Sequence, residues 1–186
     1  GTSIGPFRST NGGASWTPLT AGFPGGIVFS LYAKGPNLIA GTFGVWLSTN
    51  RGMNWIEGNA GLPGVPSPDV IRCLAVSDTT LYAGTGISGV FKSTDGGASW
   101  MEANSSQMTK TGVFSLAARD ATVFAGTGGN GIFRSLDDGV TWTQVNAGLT
   151  NLSIRAIVMA GEALFAGTQG GGVFLKQTYG AGYDPD

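Results

Sequence analysis

The sequence predicts an all-β fold built from repeated four-stranded antiparallel units. Three observations carry that expectation: an eight-residue box that recurs four times, a second motif that precedes each later box, and the lack of any helical period. The box reads Ser-x-Asp/Asn-x-Gly-x-x-Trp. Its copies are Ser9, Asn11, Gly13, Trp16; Ser48, Asn50, Gly52, Trp55; Ser93, Asp95, Gly97, Trp100; and Ser135, Asp137, Gly139, Trp142. Its serines are spaced by 39, 45 and 42 residues, and a fixed period in this range marks an array of like units.

Each unit resolves into four strands, A to D. Strand A is a short β pattern: Val28-Phe29-Ser30-Leu31, Ile71-Arg72-Cys73-Leu74, Val113-Phe114-Ser115-Leu116 and Ile154-Arg155-Ala156-Ile157. Strand B is the second motif, Leu-x-Ala-Gly-Thr in outline, ending at Thr42, Thr85, Thr127 and Thr168, with Gly1-Thr2 as the last piece of a fifth copy. Strand C follows as Gly-Val-Phe-x-Ser in outline, and the box then turns the chain into strand D at its Trp. Asn or Asp can hydrogen-bond amides just downstream, and Gly takes the positive φ that a tight hairpin needs. The Trp adds a large apolar surface whose indole N–H still wants a partner. Glycine punctuates every few residues, so no helical window survives. Four-stranded units with a period near forty are the pattern of β-propeller blades.

The strand count bears on closure. Four A, four complete B and four D strands accompany five C strands, because the chain opens at Gly5-Pro6-Phe7-Arg8-Ser9 and ends its last repeat at Gly172-Val173-Phe174-Leu175-Lys176 with no box. Two readings stay open: a four-bladed ring closed by N- and C-terminal strands, or an open piece of a larger propeller. The propeller is expected over 1–178, and 179–186 reads as a tail.

Composition narrows the function. The chain has 33 glycines, 11% charged residues and a net charge of −1, so it carries no electrostatic footprint for nucleic acid. No apolar stretch approaches a transmembrane helix, and no membrane insertion is expected. A single Cys gives no disulfide framework, and Cys73, in a uniformly small column with Ser30, Ser115 and Ala156, reads as packing. The lack of histidine removes Ser-His and Cys-His nucleophiles and imidazole metal sites. No metal and no cofactor are expected, since Asp137-Asp138 is not repeated in the other boxes and Ca²⁺ needs about six to eight oxygens.

The box resembles the Asp-box, or BNR repeat, of sialidase-type and photosystem-assembly-factor-type β-propellers. That resemblance implies boxes on outer hairpins, away from any catalytic face, so the sixteen box residues are expected to be structural. A sialidase of this kind would need three arginines on the substrate carboxylate, a Tyr–Glu nucleophile pair and an Asp acid/base. The chain has only Glu57, Glu102 and Glu162 as glutamates, and none pairs naturally with Tyr32 or Tyr82. The expected function is a non-catalytic, exported protein-interaction or scaffold module, contacting its partner through loops such as 63–69 and 105–111. Sparse charge and Thr/Asn/Gly-rich turns are typical of exported propellers of this resemblance. One alternative is a glycan-binding propeller using Trp46 against sugar faces, and another is a fragment of a sialidase-like glycosidase. Candidate ligand-binding residues are Arg72 and Arg155, which share a column with Phe29 and Phe114. In a four-bladed ring these arginines would face each other across the axis and could hold an anion.

Overall fold

The computed structural model describes residues 3–63, 69–105, 108 and 111–176. Gly1-Thr2, most of both candidate recognition loops and the 179–186 tail lie outside them. The described chain forms five antiparallel sheets. The N-terminal pair is β1 (Phe7–Arg8) with β2 (Thr17–Pro18). Three four-stranded sheets follow. The first is β3 (Ser30–Lys34), β4 (Asn37–Gly41), β5 (Val45–Ser48) and β6 (Ile56–Glu57). The second is β7 (Ile71–Ser77), β8 (Thr80–Thr85), β9 (Val90–Ser93) and β10 (Met101–Glu102). The third is β11 (Val113–Arg119), β12 (Thr122–Thr127), β13 (Ile132–Ser135) and β14 (Thr143–Gln144). The last sheet is β15 (Ile154–Ala160), β16 (Ala163–Thr168) and β17 (Gly172–Lys176).

Within each sheet the strands pair in sequence order, so A to D run from one edge to the other as the repeat predicts. The A strands β3, β7, β11 and β15 neighbour one another from sheet to sheet, which makes A the shared inner strand. Their small third column does more than relieve crowding. Ser30 Oγ donates to the Ile71 carbonyl at 3.3 Å, Cys73 Sγ donates to the Val113 carbonyl at 3.7 Å, and Ser115 Oγ accepts from Ile157 N at 2.8 Å. The motif glycine on strand B explains why the next sheet comes so close. A Cβ on Gly41 would stand 2.7 Å from the Ile71 carbonyl, and one on Gly84 would stand 2.7 Å from the Val113 side chain. The motif threonine closes the loop that follows: Thr42, Thr85, Thr127 and Thr168 each donate a hydroxyl to a Gly carbonyl, at 44, 89, 131 and 172.

The core is a series of inter-sheet clusters, not one central mass. Ile39 and Val45 of one sheet pack with Ile71, Leu81, Phe91 and Trp100 of the next. Tyr82 and Val90 pack with Val113, Leu116, Val123, Phe133 and Trp142. Phe124 and Ile132 pack with Ile154, Ile157 and Leu164. At the N-terminal end Phe23 packs on Val28, Ala40 and Trp55. Closure by terminal strands is not adopted among the described residues, where β1 pairs with β2 and β17 with β16.

Candidate functional site

The boxes form by short-range bonding. In every copy the Ser Oγ accepts from the box Gly amide at 2.8–2.9 Å, and the Asn or Asp Oδ1 accepts from the amide four residues on, also at 2.8–2.9 Å. The box glycines all have positive φ, from 82° to 94°, as the hairpin requires. In the two Asp boxes a hydroxyl adds a bond to the second carboxylate oxygen, Ser99 to Asp95 at 2.5 Å and Thr141 to Asp137 at 2.6 Å. These bonds stabilise the charged form, so both carboxyls are held down at about 2.

Three of the four box tryptophans are buried and reach back one sheet. The indole of Trp55 donates to Leu19, that of Trp100 to Gly58 and that of Trp142 to Ala103, each to a carbonyl at 2.9 Å. Trp16 is exposed. A further repeated residue escaped the sequence reading. Asn59, Asn104 and Asn146 stand four residues after their Trp, and each Oδ1 accepts from the amide that begins strand C, at Val45, Val90 and Ile132, all at 2.7 Å. The signal was present as a constant Trp-to-Asn spacing in three copies.

The arginine column has a different geometry from the one expected. Strands β7, β11 and β15 each carry a β-bulge, between Ile71 and Cys73, Val113 and Ser115, and Ile154 and Ala156. The bulged residues are Arg72, Phe114 and Arg155, and a bulge of this kind re-aims a side chain out of the ladder. The two guanidiniums do not oppose each other across an axis. They share the Phe114 ring, Arg72 Cζ at 4.6 Å and Arg155 Cζ at 4.2 Å from its centroid. The reason is lateral proximity: the three residues sit on consecutive inner strands, so the ring lies between the cations and attracts both. Arg155 is exposed and bonds Gln169 Oε1 through Nε at 3.2 Å and through Nη2. Arg72 Nε is buried with no hydrogen-bond partner, and so is Oδ2 of Asp69. Both groups border Gly86, where a Cβ would stand 3.0 Å from Asp69 Oδ1 and 3.4 Å from Arg72 Nε. Asp69 Oδ1 accepts from Ile87 N at 2.9 Å.

Trp46 faces Phe23 with ring centroids 5.8 Å apart and belongs to the N-terminal cluster. Tyr82 meets no glutamate. Its hydroxyl donates to Asp138 Oδ1 at 3.1 Å, while Lys92 Nζ donates to the Asp138 carbonyl at 2.9 Å. Burial, then this carboxylate, raise the phenol above its usual range. The acidic pair Asp137-Asp138 thus divides its work, one closing its hairpin and the other tying two sheets. One repeat earlier, Ile39 and Leu47 replace Tyr82 and Lys92, and there a groove of 600 Å³ opens between the sheets. Burial pushes the Cys73 thiol up to about 12, which keeps it protonated and unreactive at neutral pH. Glu57 and Glu102 lie exposed on D strands opposite Trp46 and Phe91, and Glu162 lies at the β15–β16 turn. Among the described residues no three of Cys, Asp and Glu converge as a metal site, and no helix is long and apolar enough to cross a membrane.

No protein-family model matches the chain, and no curated protein matches it. Solved structures do share its architecture. The extracellular domain of BT4673 from B. thetaiotaomicron superposes with a TM-score of 0.75 at 18% identity, over 94% of this chain and 25% of that one. The GH74 xyloglucanase from Xanthomonas campestris gives 0.73 at 17% identity, over 98% of this chain and 35% of that one. The computationally designed protein Ika4 gives 0.62 at 14% identity, over 82% of this chain and 91% of that one. The chain therefore spans about a quarter to a third of the two natural proteins it resembles. The likeness establishes the fold: these sheets are β-propeller blades.

Proposed function

We propose that this chain is a non-catalytic, exported β-propeller module of the Asp-box type that serves protein interaction or scaffolding. One observation carries the reading. The repeated polar side chains are engaged in their own hairpins and the buried tryptophans in the preceding blade, so the repeat builds a rigid frame. Function on such frames lies in the connecting loops, here 63–69 and 105–111, beside which Arg72 and Asp69 hold unpartnered polar atoms. Glu57, Glu102 and Glu162 stand apart on outer strands and one turn, and Asp95 and Asp137 are engaged in their own hairpins, so none of these five supports the paired Asp or Glu carboxylates of a glycosidase. Sparse charge, Thr/Asn/Gly-rich turns and the likeness to an extracellular domain support export.

The reading is tested by offering the purified chain fluorogenic sialosides and xyloglucan. No turnover is expected. Turnover that disappears in Glu57→Gln or Glu102→Gln would replace this reading with a glycosidase.

A further inference from the structure

The interfaces between successive sheets from β3 to β17 treat one position differently. The third residue of strand B packs against the next blade, and it is Ile39 in β4, Tyr82 in β8 and Phe124 in β12. The two rings are fully buried. Two interfaces therefore close on an aromatic ring, and the first closes on a shorter aliphatic chain.

At the second interface the ring has polar partners. The Tyr82 hydroxyl donates to Asp138 Oδ1 at 3.1 Å, and Lys92, opposite Tyr82 in the ladder, donates from Nζ to the Asp138 carbonyl at 2.9 Å. At the first interface the repeat places Ile39 for Tyr82, Leu47 for Lys92 and Gly96 for Asp138. Leu81 in place of Val123 returns only a single methylene group of the lost volume. The groove of 600 Å³ lies here, and Ile39, Leu47 and Gly96 all line it. Its volume falls within the range of about 300–1,000 Å³ seen for small-molecule sites. Tyr32, Val76 and Ile56 add apolar walls, while Thr94 and Asp95 line it beside Gly96.

We propose that this groove binds a small phenol, its ring against Ile39 and Leu47 and its hydroxyl at the Thr94–Gly96 turn. The next interface supplies the template, since the same space there holds a phenol ring whose hydroxyl meets the equivalent turn. The ring gains by leaving water for apolar walls. The hydroxyl keeps an acceptor in Asp95, which is ionised at neutral pH. A sugar fits less well, because hydroxyls set against Ile39, Leu47 and Val76 would lose their bonds to water. The groove reaches Asp78, which follows β7, whereas Asp69 and Arg72 stand at the start of that strand. The site is thus separate from the loops assigned to protein interaction.

The experiment titrates the chain with 4-methylphenol, the free equivalent of a tyrosine side chain, and with toluene, followed by protein NMR shifts. Saturable shifts at Ile39 and Leu47 are expected with 4-methylphenol. Toluene should bind about threefold more weakly or worse, for want of one hydrogen bond. Two variants carry opposite signs. Ile39→Tyr with Leu81→Val installs a ring as at the second interface, and should abolish binding while melting at or above the parent temperature. Gly96→Asp supplies the second interface's carboxylate, and should tighten 4-methylphenol about threefold or more with toluene unchanged. The turn accepts this change, because a Cβ on Gly96 meets nothing within 4 Å and Asp138 holds the same left-handed conformation, φ 57° against 75°. If the ring-filling variant fails to fold, the Gly96→Asp arm decides. Absence of saturable shifts in the parent overturns the proposal, as does binding that survives in a folded ring-filling variant. Toluene binding as tightly as 4-methylphenol, or no gain in Gly96→Asp, overturns recognition of the hydroxyl. Tighter binding of an end-blocked Gly-Tyr-Gly peptide than of 4-methylphenol overturns the small molecule in favour of a tyrosine borne by a partner protein.

Discussion

Trp100 donates its indole N–H to the carbonyl of Gly58, 2.9 Å away and 42 residues earlier in the chain. The bond crosses from one blade to the one before it, and the ring fills the inter-blade cluster formed by Ile39, Val45, Ile71 and Leu81. A residue that marks a hairpin in the sequence is therefore a fastener between blades. Trp16, which follows β1 in the first described sheet, is 61% exposed against 5% for Trp100.

This contrast gives the first prediction. Trp100→Ala should lower stability by about 3–5 kcal/mol, through the lost ring and the cavity it leaves. Trp16→Ala should change it by about 0.5 kcal/mol or less, as exposed substitutions do. Urea melts of the two variants check this. Equal losses would mean that the indole acts within its own hairpin.

Acid should weaken the two Asp boxes. Asp95 and Asp137 titrate at about 2 in the fold, against 3.8 when unperturbed. A depressed folded value stabilises the fold above the unfolded pKa, and that contribution is lost as pH falls from about 4 to about 2. Asn11 and Asn50 make the same amide bond without titrating. The double variant Asp95→Asn, Asp137→Asn should therefore show a shallower fall in melting temperature between pH 5 and pH 2. A curve parallel to the parent's would contradict the assignment.

Tyr82 should govern part of the alkaline limit. Its phenol is raised by burial and by Asp138, so above the ordinary tyrosine value of about 10 the unfolded chain releases a proton that the fold retains. Stability then falls as pH rises. Tyr82→Phe should cost about 0.5–1.5 kcal/mol at neutral pH through the lost hydrogen bond, and should flatten the decline between pH 9 and pH 11. Melting temperatures over that range decide it.

The arginine pair separates an anion site from a structural cluster. Replacing Arg72 and Arg155 together with Phe restores the residue type found at Phe29 and Phe114. Anion binding by the parent, followed calorimetrically with acetate or phosphate, should disappear in the double variant with stability equal or higher. Marked destabilisation with no anion bound by the parent would assign the cations to holding Phe114.

The repeat made much of the frame legible. Strand order and the box hairpin followed from the repeat, because the order of short β segments and turn chemistry are local, whereas the inner position of strand A came from the contacts between sheets. The candidate site was less legible. That Arg72 and Arg155 share one ring depends on bulges at the same place in three strands, and no residue type announces a bulge. The Tyr82–Asp138 bond joins residues 56 apart, and their pairing exists only after two blades pack. Asn59, Asn104 and Asn146 were readable as a constant spacing, but their partner amides were not.

The sequence by itself determined what each unit is: four strands, a stapled hairpin, a Gly where the next strand must come close. These are decided within about forty residues, by φ preferences, short hydrogen bonds and alternation of apolar side chains. The tertiary structure decided what the units do to one another. It set which carbonyl each indole reaches, which ring the arginines share, and why Val173 is exposed while Val45, its equal in the repeat, is buried. Burial belongs to the neighbour as much as to the residue, and identical motifs differ where a described sheet packs beside one and not the other.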